Sequence, residues 1–112
     1  MRELNDGNEL DVAIKKKIRE FCGAPHRVDI TRTAERDAWL LEITKLGVLE
    51  ACGCHINGHG LVHADFLDSG EAAYIVAACQ TESHILYVKL KFEGKGARER
   101  MLIISSHPPR RW

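Results

Sequence analysis

The stretch I-L-Y-V-K-L-K-F, residues 85–92, decides the fold because every second side chain along it is apolar. One face of the stretch carries only apolar side chains, namely Leu86, Val88, Leu90 and Phe92. The other face carries Ile85, Tyr87, Lys89 and Lys91. A period of two residues is the signature of a half-buried strand. The stretch therefore predicts a strand with one face in the core and a more polar face outside it.

A second strand is predicted at residues 101–107, M-L-I-I-S-S-H, an apolar run that becomes polar at its end. The segment between the two strands, E-G-K-G-A-R-E-R, has two glycines and five charged residues. That composition is typical of an exposed hairpin loop. The hairpin would bring Tyr87 and Lys89 of the first strand near His107 at the end of the second.

An amphipathic helix is predicted over residues 9–22. Its apolar side chains recur at helical spacing, at Leu10, Ile14, Ile18 and Phe21. Gly23 and Pro25 would end this helix. Residues 1–8 are polar, and we expect them to fray or to cap the helix.

Two further helices are predicted before the strands. Thr31 or Thr33 would cap one that runs through Leu41, and Thr44 would cap another that closes near Asn57 and Gly58. The expected apolar side of the first is formed by Ala34, Trp39, Leu40 and Leu41. The expected apolar side of the second is formed by Leu46, Val48, Leu49, Cys52 and Ile56.

The fold class follows from the order of these elements. Residues 61–67 alternate, and residues 71–79 read as a strand or a buried helix, with Tyr74, Ile75 and Val76 favouring the strand. Helices followed by about four antiparallel strands indicate an α+β fold. We predict one domain over residues 1–112, with N-terminal helices packed on a twisted antiparallel β-sheet.

Hydrophobicity and charge along the chain indicate where the protein is located and what it can bind. No apolar run approaches the roughly 20 residues of a membrane span, and the N-terminus lacks the apolar core of a secretory signal, so we expect a cytoplasmic protein without a membrane partner. The formal net charge is zero, but from His84 onward seven basic residues face only two acidic ones. Such a basic region can bind phosphate on a neutral protein, although it also fits a solvated loop and tail.

The cysteine and histidine residues raise the question of a metal site. Four cysteines occur, and a cytosolic setting favours reduced, buried thiols. The densest group of ligand types is Cys52, Cys54, His55, His59 and His63. Its C-x-C spacing is not the paired C-x2-C of structural zinc sites, and Gly58 and Gly60 should end the helix before His63. We predict no metal and no cofactor, and keep a metal-dependent protein as a third alternative.

Metal-free RNA cleavage is the chemistry that the hairpin residues suit. The reaction needs a base for the ribose 2′-hydroxyl, an acid for the leaving 5′-oxygen, and cations for charge on the phosphate. Tyr87 and His107 are the predicted proton-transfer groups. The predicted RNA-binding residues are Lys89, Lys91, Arg98, Arg100 and Arg110. Each of these types is also common on ordinary sheet surfaces.

A family resemblance adds to this interpretation. Four segments follow each other in an order that resembles the MqsR-type toxins of type II toxin–antitoxin systems. They are T-x-T-A-x5-L-L-E-I-T-K-L-G-V-L-E-A, a tyrosine-bearing strand at residues 71–74, L-Y-V-K-L and I-I-S-S-H. The similarity covers roughly residues 31–108. It implies a small RelE-like fold, cleavage of mRNA without a metal, and a cognate antitoxin that binds the toxin.

The resemblance also implies site residues. The strand tyrosine of the family falls on Tyr87, and its basic residue at the end of the last strand falls on His107, where lysine is common. A polar position where the family usually has glutamine falls on Glu71. The family's lysine before the first long strand has His63 as its nearest basic counterpart. The alternative function is a non-catalytic regulatory or inhibitor domain that uses the same surface to hold a protein partner.

Overall fold

The computed structural model describes residues 1–108 of the chain. The helices are α1 (Glu9–Cys22), α2 (Arg32–Trp39) and α3 (Lys45–Asn57). The strands are β1 (Arg2–Glu3), β2 (Val28–Ile30), β3 (Val62–Phe66), β4 (Ala72–Gln80), β5 (Ile85–Glu93) and β6 (Arg100–His107). The predicted α+β class is confirmed. Over these residues, no helix combines the length and hydrophobicity needed to cross a bilayer.

The strands form one sheet in the order β1-β3-β4-β5-β6-β2. All neighbours are antiparallel except β2, which lies parallel to β6. The four-strand meander from β3 to β6 is the predicted one. The prediction that residues 1–8 only fray or cap was incomplete, because β1 pairs with β3 and Leu4 is buried. A two-residue edge strand is too short to leave a periodic signal.

Side-chain caps start the three helices where polar residues precede the apolar pattern. Asn8 accepts hydrogen bonds from the backbone N–H groups of Leu10 and Asp11, at 2.9 and 3.2 Å. Thr31 caps α2 by accepting a hydrogen bond from the Ala34 N–H at 3.2 Å. Thr44 caps α3 by accepting one from the Gly47 N–H, also at 3.2 Å. The cap predictions are therefore confirmed, with Thr31 rather than Thr33 chosen for α2.

The core lies between the helices and one face of the sheet. Leu86, Val88 and Leu90 of β5 are fully buried, as the alternation predicts. They share one cluster with Ile18 of α1 and Leu49 of α3. The opposite face of β5, which carries the tyrosine and the two lysines, remains partly accessible.

Four apolar helix residues that we expected in the core lie outside it. Leu10 is 75% exposed, Trp39 65%, Leu40 74% and Leu46 60%. In α2 the buried positions are Ala34, as predicted, and Ala38, which was not predicted. Small side chains let α2 approach β6 closely, and the helix ends at Trp39, so Leu40 falls in the turn that follows.

An ion pair between the exposed Arg2 and the buried Asp11 holds β1 to α1. Asp11 is inaccessible, and its carboxylate accepts two hydrogen bonds from Arg2, at 2.7 and 2.9 Å, and one from the Asn5 N–H at 2.9 Å. The bonds from Arg2 and then from Asn5 lower the pKa of Asp11 to about 2. Strand β1 is therefore held both by this ion pair and by its backbone pairing with β3.

The burial pattern predicts opposite outcomes for two leucine truncations. Leu90→Ala removes a fully buried side chain and should lower the free energy of unfolding by about 2–5 kcal/mol. Leu10→Ala removes an exposed one and should change it by less than about 0.5 kcal/mol. Urea unfolding of both variants measures the difference. Equal losses would place Leu10 in the core.

The Arg2–Asp11 pair predicts a pH dependence of stability. Because the pKa of Asp11 falls from 3.8 to about 2 on folding, its stabilisation is complete above about pH 4 and is lost as the pH falls through the folded value. The melting temperature of the wild type should therefore drop more steeply on acidification than that of Arg2→Ala. Thermal scans from about pH 7 to 2 measure this. Parallel curves would contradict the assignment.

Candidate active site

A β-bulge at Ile104 sets the geometry of the site. Met101 and Ile103 point into the core, so strict alternation would send His107 into the core as well. Leu90 pairs with Ile103, but the next residue of β5, Lys89, pairs with Ser105, so Ile104 is an extra residue in β6. A bulge of this kind redirects the side chains that follow it. As a result Ser106 is buried and His107 lies on the open face of the sheet.

Contacts with the start of α2 hold the bulge. The Thr31 hydroxyl donates to the carbonyl of Ile104 at 3.0 Å. The buried Ser106 hydroxyl donates to the carbonyl of Ala34 at 2.8 Å. A buried hydroxyl without a partner is costly, so these bonds favour the bulged register over the regular one.

The bulged register places Tyr87 directly opposite His107. Side chains opposite each other in an antiparallel pair have their Cβ atoms roughly 4.5–5.5 Å apart. Both residues line a hollow of about 700 Å³ on the open face, which we call the sheet hollow. Lys89, Ser105 and His63 line the same hollow.

A second bulge, in β4, shapes the wall of the sheet hollow. The β4–β5 register shifts between Val76 and Cys79, so Ala77 and Ala78 lie in the irregular part. Ala78 has a φ of 63°, a left-handed conformation that costs an L-residue about 1–2 kcal/mol. Both alanines line the hollow, together with the larger apolar side chains of Met1, Leu61 and Ile75. One wall of the hollow is therefore apolar, and the other carries the tyrosine, lysine and histidine.

Backbone contacts select the tautomers of two histidines at the hollow. Nδ1 of His107 lies 2.7 Å from the carbonyl oxygen of Pro108. A carbonyl can only accept, so Nδ1 carries the proton and the neutral ring presents Nε2 as a base. His55 has the opposite arrangement, because its Nε2 lies 3.0 Å from the carbonyl oxygen of Leu61.

The two lysines of β5 differ in their partners. Lys91 lies 3.1 Å from both Glu71 and Glu93, and the hydrogen bond to Glu71 is the larger cause that raises its pKa. The same bond lowers the pKa of Glu71. Lys89 has a longer contact, 3.7 Å to Asp65, and lines the sheet hollow. Glu71 and Lys91 thus neutralise each other beside the hollow, whereas Lys89 remains available to it.

His63 approaches the hollow from β3, with β4 between it and Lys89. Two strand spacings separate their backbones, or about 10 Å. Ser105 lies directly opposite Lys89 and was not predicted as a site residue. Its position depends on the bulge, which the residue pattern of the strand does not disclose.

The predicted arginines do not gather at the hollow within residues 1–108. Arg98 is exposed in the loop before β6. Arg100 makes two bonds to Asp29, at 2.8 and 3.0 Å, and pairs with Glu93 at the far end of the hairpin, roughly 20 Å from Tyr87. Arg110 lies outside the described residues.

The Cys–His cluster is divided by the fold. Cys52 is buried and Cys54 is exposed, while His55 and His63 line the sheet hollow. In the part of the chain that the structure describes, no three His, Cys, Asp or Glu side chains are arranged to hold a metal ion.

Comparisons of the chain with protein-family models, with curated proteins and with solved structures found no match. The resemblance to MqsR-type toxins therefore rests on the quoted motifs.

The histidine contacts predict opposite tautomers for His107 and His55. In the neutral rings we expect the proton on Nδ1 of His107, and on Nε2 of His55, since each bonded nitrogen must donate to a carbonyl. Long-range ¹H–¹⁵N NMR correlations of the imidazole rings distinguish the two forms. A neutral His107 protonated on Nε2 would remove the base from the hollow.

Proposed function

We propose that the protein is a metal-independent endoribonuclease that acts on single-stranded RNA at the sheet hollow. The observation that carries the proposal is the direct pairing of Tyr87 with His107 beside Lys89 in one hollow. These residues supply a base, a proton donor and a cation, which are the groups that cleavage of a phosphodiester next to a 2′-hydroxyl requires.

The role of His107 follows from its tautomer, and the roles of Tyr87 and Lys89 follow from the chemistry of a phenol and an ammonium group. Nε2 of His107 takes the proton of the 2′-hydroxyl while that oxygen attacks the adjacent phosphorus. The bond from phosphorus to the 5′-oxygen breaks, and the Tyr87 hydroxyl gives that oxygen its proton. Lys89 offsets negative charge on the non-bridging oxygens. The products are a 2′,3′-cyclic phosphate and a 5′-hydroxyl end.

The apolar wall supports a nucleobase beside the scissile phosphate. Leu61, Ile75 and the two alanines of the β4 bulge offer a surface against which the flat face of a base can pack. The volume of about 700 Å³ is within the usual range for small-molecule sites, and it accommodates a nucleotide. A duplex would not present its bases to such a wall, so the substrate is single-stranded.

The biological role that fits this chemistry is that of an MqsR-like toxin in a type II toxin–antitoxin system. Its target is mRNA in the cytoplasm, and cleavage inhibits translation. Its protein partner is a cognate antitoxin. His107 replaces the lysine common in the family and acts as the base there, and His63 is a further basic group at the hollow.

A second candidate function is a non-catalytic domain that holds a protein partner. The apolar wall favours it, because the same surface can take an apolar side chain of a partner. Among the described residues, Lys89 is the one lysine that lines the hollow, and a single lysine is a small number of cations for an RNA-binding site. Cleavage assays separate the two functions.

Incubation of the chain with a single-stranded RNA in EDTA tests the proposal. We expect cleavage by the wild type, with fragments that end in a cyclic phosphate. His107→Ala and Tyr87→Phe should each lower the rate by roughly 10²–10⁴-fold, because each removes one proton-transfer group. Lys89→Gln should lower it by roughly 10²-fold or more. Gel analysis with end-labelled RNA measures all of these rates.

Lys91→Gln is the matched control, since Lys91 lies on the same strand face but is paired with two carboxylates outside the hollow. Its rate should stay within about threefold of the wild type, as expected for an exposed ion pair. No cleavage by the wild type would favour the second candidate. Equal rates for Lys89→Gln and Lys91→Gln would refute the placement of the phosphate beside Lys89.

A further inference from the structure

Three cysteine thiols from different elements meet on the other side of the sheet. Cys22 is the last residue of α1, Cys52 lies in the middle of α3, and Cys79 follows the bulge in β4. The sulfurs of Cys79 and Cys52 are 3.8 Å apart. Cys22 lies beside this pair, because a Cβ added at Gly53, the chain neighbour of Cys52, would be 3.6 Å from the Cβ of Cys22. The sequence predicted four reduced, buried cysteines. The fold instead joins three of them in a row and leaves Cys54 exposed.

Access to solvent decreases along this row. Cys22 is partly exposed, whereas Cys52 and Cys79 are 1% and 0% exposed. A solvent-borne reagent therefore reaches Cys22 before it reaches Cys52 or Cys79.

The hydrogen bonds within the row activate the outer thiol. The bond between Cys52 and Cys22 lowers the pKa of Cys22, and burial opposes this only in part. The same bond raises the pKa of Cys52. The Cys79 thiol also lies 3.4 Å from the carbonyl oxygen of Val76, to which it can donate. The thiolate that reacts with oxidants thus forms more readily at Cys22 than at Cys52.

We propose that Cys22, Cys52 and Cys79 form a peroxide-sensitive thiol relay, in which Cys22 is oxidised first and Cys52 converts it into an internal disulfide. This site lies on the opposite side of the sheet from the hollow and takes no part in the reaction proposed there. The oxidant is hydrogen peroxide, a small neutral molecule that can reach a partly exposed sulfur.

The chemistry balances in two steps. The Cys22 thiolate attacks one oxygen of the peroxide, the O–O bond breaks, and Cys22 becomes a sulfenic acid while hydroxide leaves and takes up a proton as water. The Cys52 thiol then attacks the Cys22 sulfur, the S–O bond breaks, and a second water leaves as the Cys22–Cys52 disulfide forms. Two thiols are oxidised and one peroxide is reduced to two waters.

Cys79 can then take the place of Cys22 by thiol–disulfide exchange. Its thiolate attacks the Cys52 sulfur, the new S–S bond joins Cys52 to Cys79, and Cys22 leaves as a thiolate. A disulfide is about 2.05 Å long, so the present separation of 3.8 Å would shorten by nearly half. The resulting bond would tie α3 to β4 immediately after the bulge that shapes the sheet hollow.

Mass spectrometry after peroxide treatment tests the relay. The full chain is reduced, freed of reductant, treated with equimolar hydrogen peroxide and then alkylated. Cleavage after glutamate places Cys22, Cys52 and Cys79 in separate peptides, although Cys52 and Cys54 share one. A Cys54→Ser background removes that ambiguity. We expect a disulfide that contains Cys52, joined to Cys22 or to Cys79, and its loss on addition of dithiothreitol.

Two variants in this background test the order of the relay. Cys22→Ala should form the disulfide at least about tenfold more slowly, because only buried thiols remain. Cys79→Ala should still form Cys22–Cys52 at the rate of the background protein. Circular dichroism before treatment shows whether each variant is folded. If a variant does not fold, the Cys54→Ser protein by itself still tests whether Cys52 enters a disulfide.

The proposal is overturned if Cys22 ends as sulfinic acid with no disulfide at Cys52. It is also overturned if folded Cys22→Ala forms the disulfide as fast as the background protein. RNA cleavage plays no part in these measurements, so a failure of the proposed nuclease and a failure of the relay are distinguishable.

Discussion

The pairing of β5 with β6 around the extra residue Ile104 is the constraint on which the site depends. Ile103 and Ser106 are both buried, although they are three residues apart and regular alternation would put them on opposite faces. Both can face the core because one residue between them, Ile104, has no partner in β5. Hydrogen bonds from Thr31 and Ser106 to backbone carbonyls hold that arrangement. Because the shift reverses the face of every later side chain, His107 reaches the open face beside Tyr87.

Charge divides the open face into two parts. Toward the hairpin loop, Lys91 is held by Glu71 and Glu93, and Arg100 by Asp29, so cations and carboxylates largely cancel. Toward the other end, Lys89 has a single, longer contact with a carboxylate. Of these three cations, Lys89 is the one least closely paired with a carboxylate, and it is the one that lines the hollow. A formal net charge of zero is thus compatible with the phosphate contact that we propose there.

The bulge in β4 connects the two sites that we propose. Its alanines form part of the wall of the sheet hollow, while the next residue, Cys79, faces the core and contacts Cys52. The strand therefore carries part of the apolar wall of the hollow on one face and the end of the thiol row on the other. Ala78, the strained residue of the bulge, directly precedes Cys79 in the chain.

Local sequence determined most of the fold. The alternation in β5, the threonine caps at Thr31 and Thr44, and the glycines that end α1 and α3 act over a few residues, so their physics is visible in the chain itself. It did not determine which helix side chains are buried. Leu10 and Leu40 are as apolar as core residues, but whether they find a partner depends on where the helix lies against the sheet.

The tertiary structure alone decided the site. Tyr87, Lys89 and His107 were candidates by residue type, but their meeting depends on a one-residue shift that no alternation pattern contains. The separation of Lys89 from Lys91 depends on Glu71 and Glu93, and the row of three thiols depends on the packing of α1, α3 and β4. These are contacts between residues far apart in the chain or on neighbouring strands, and register and packing set them.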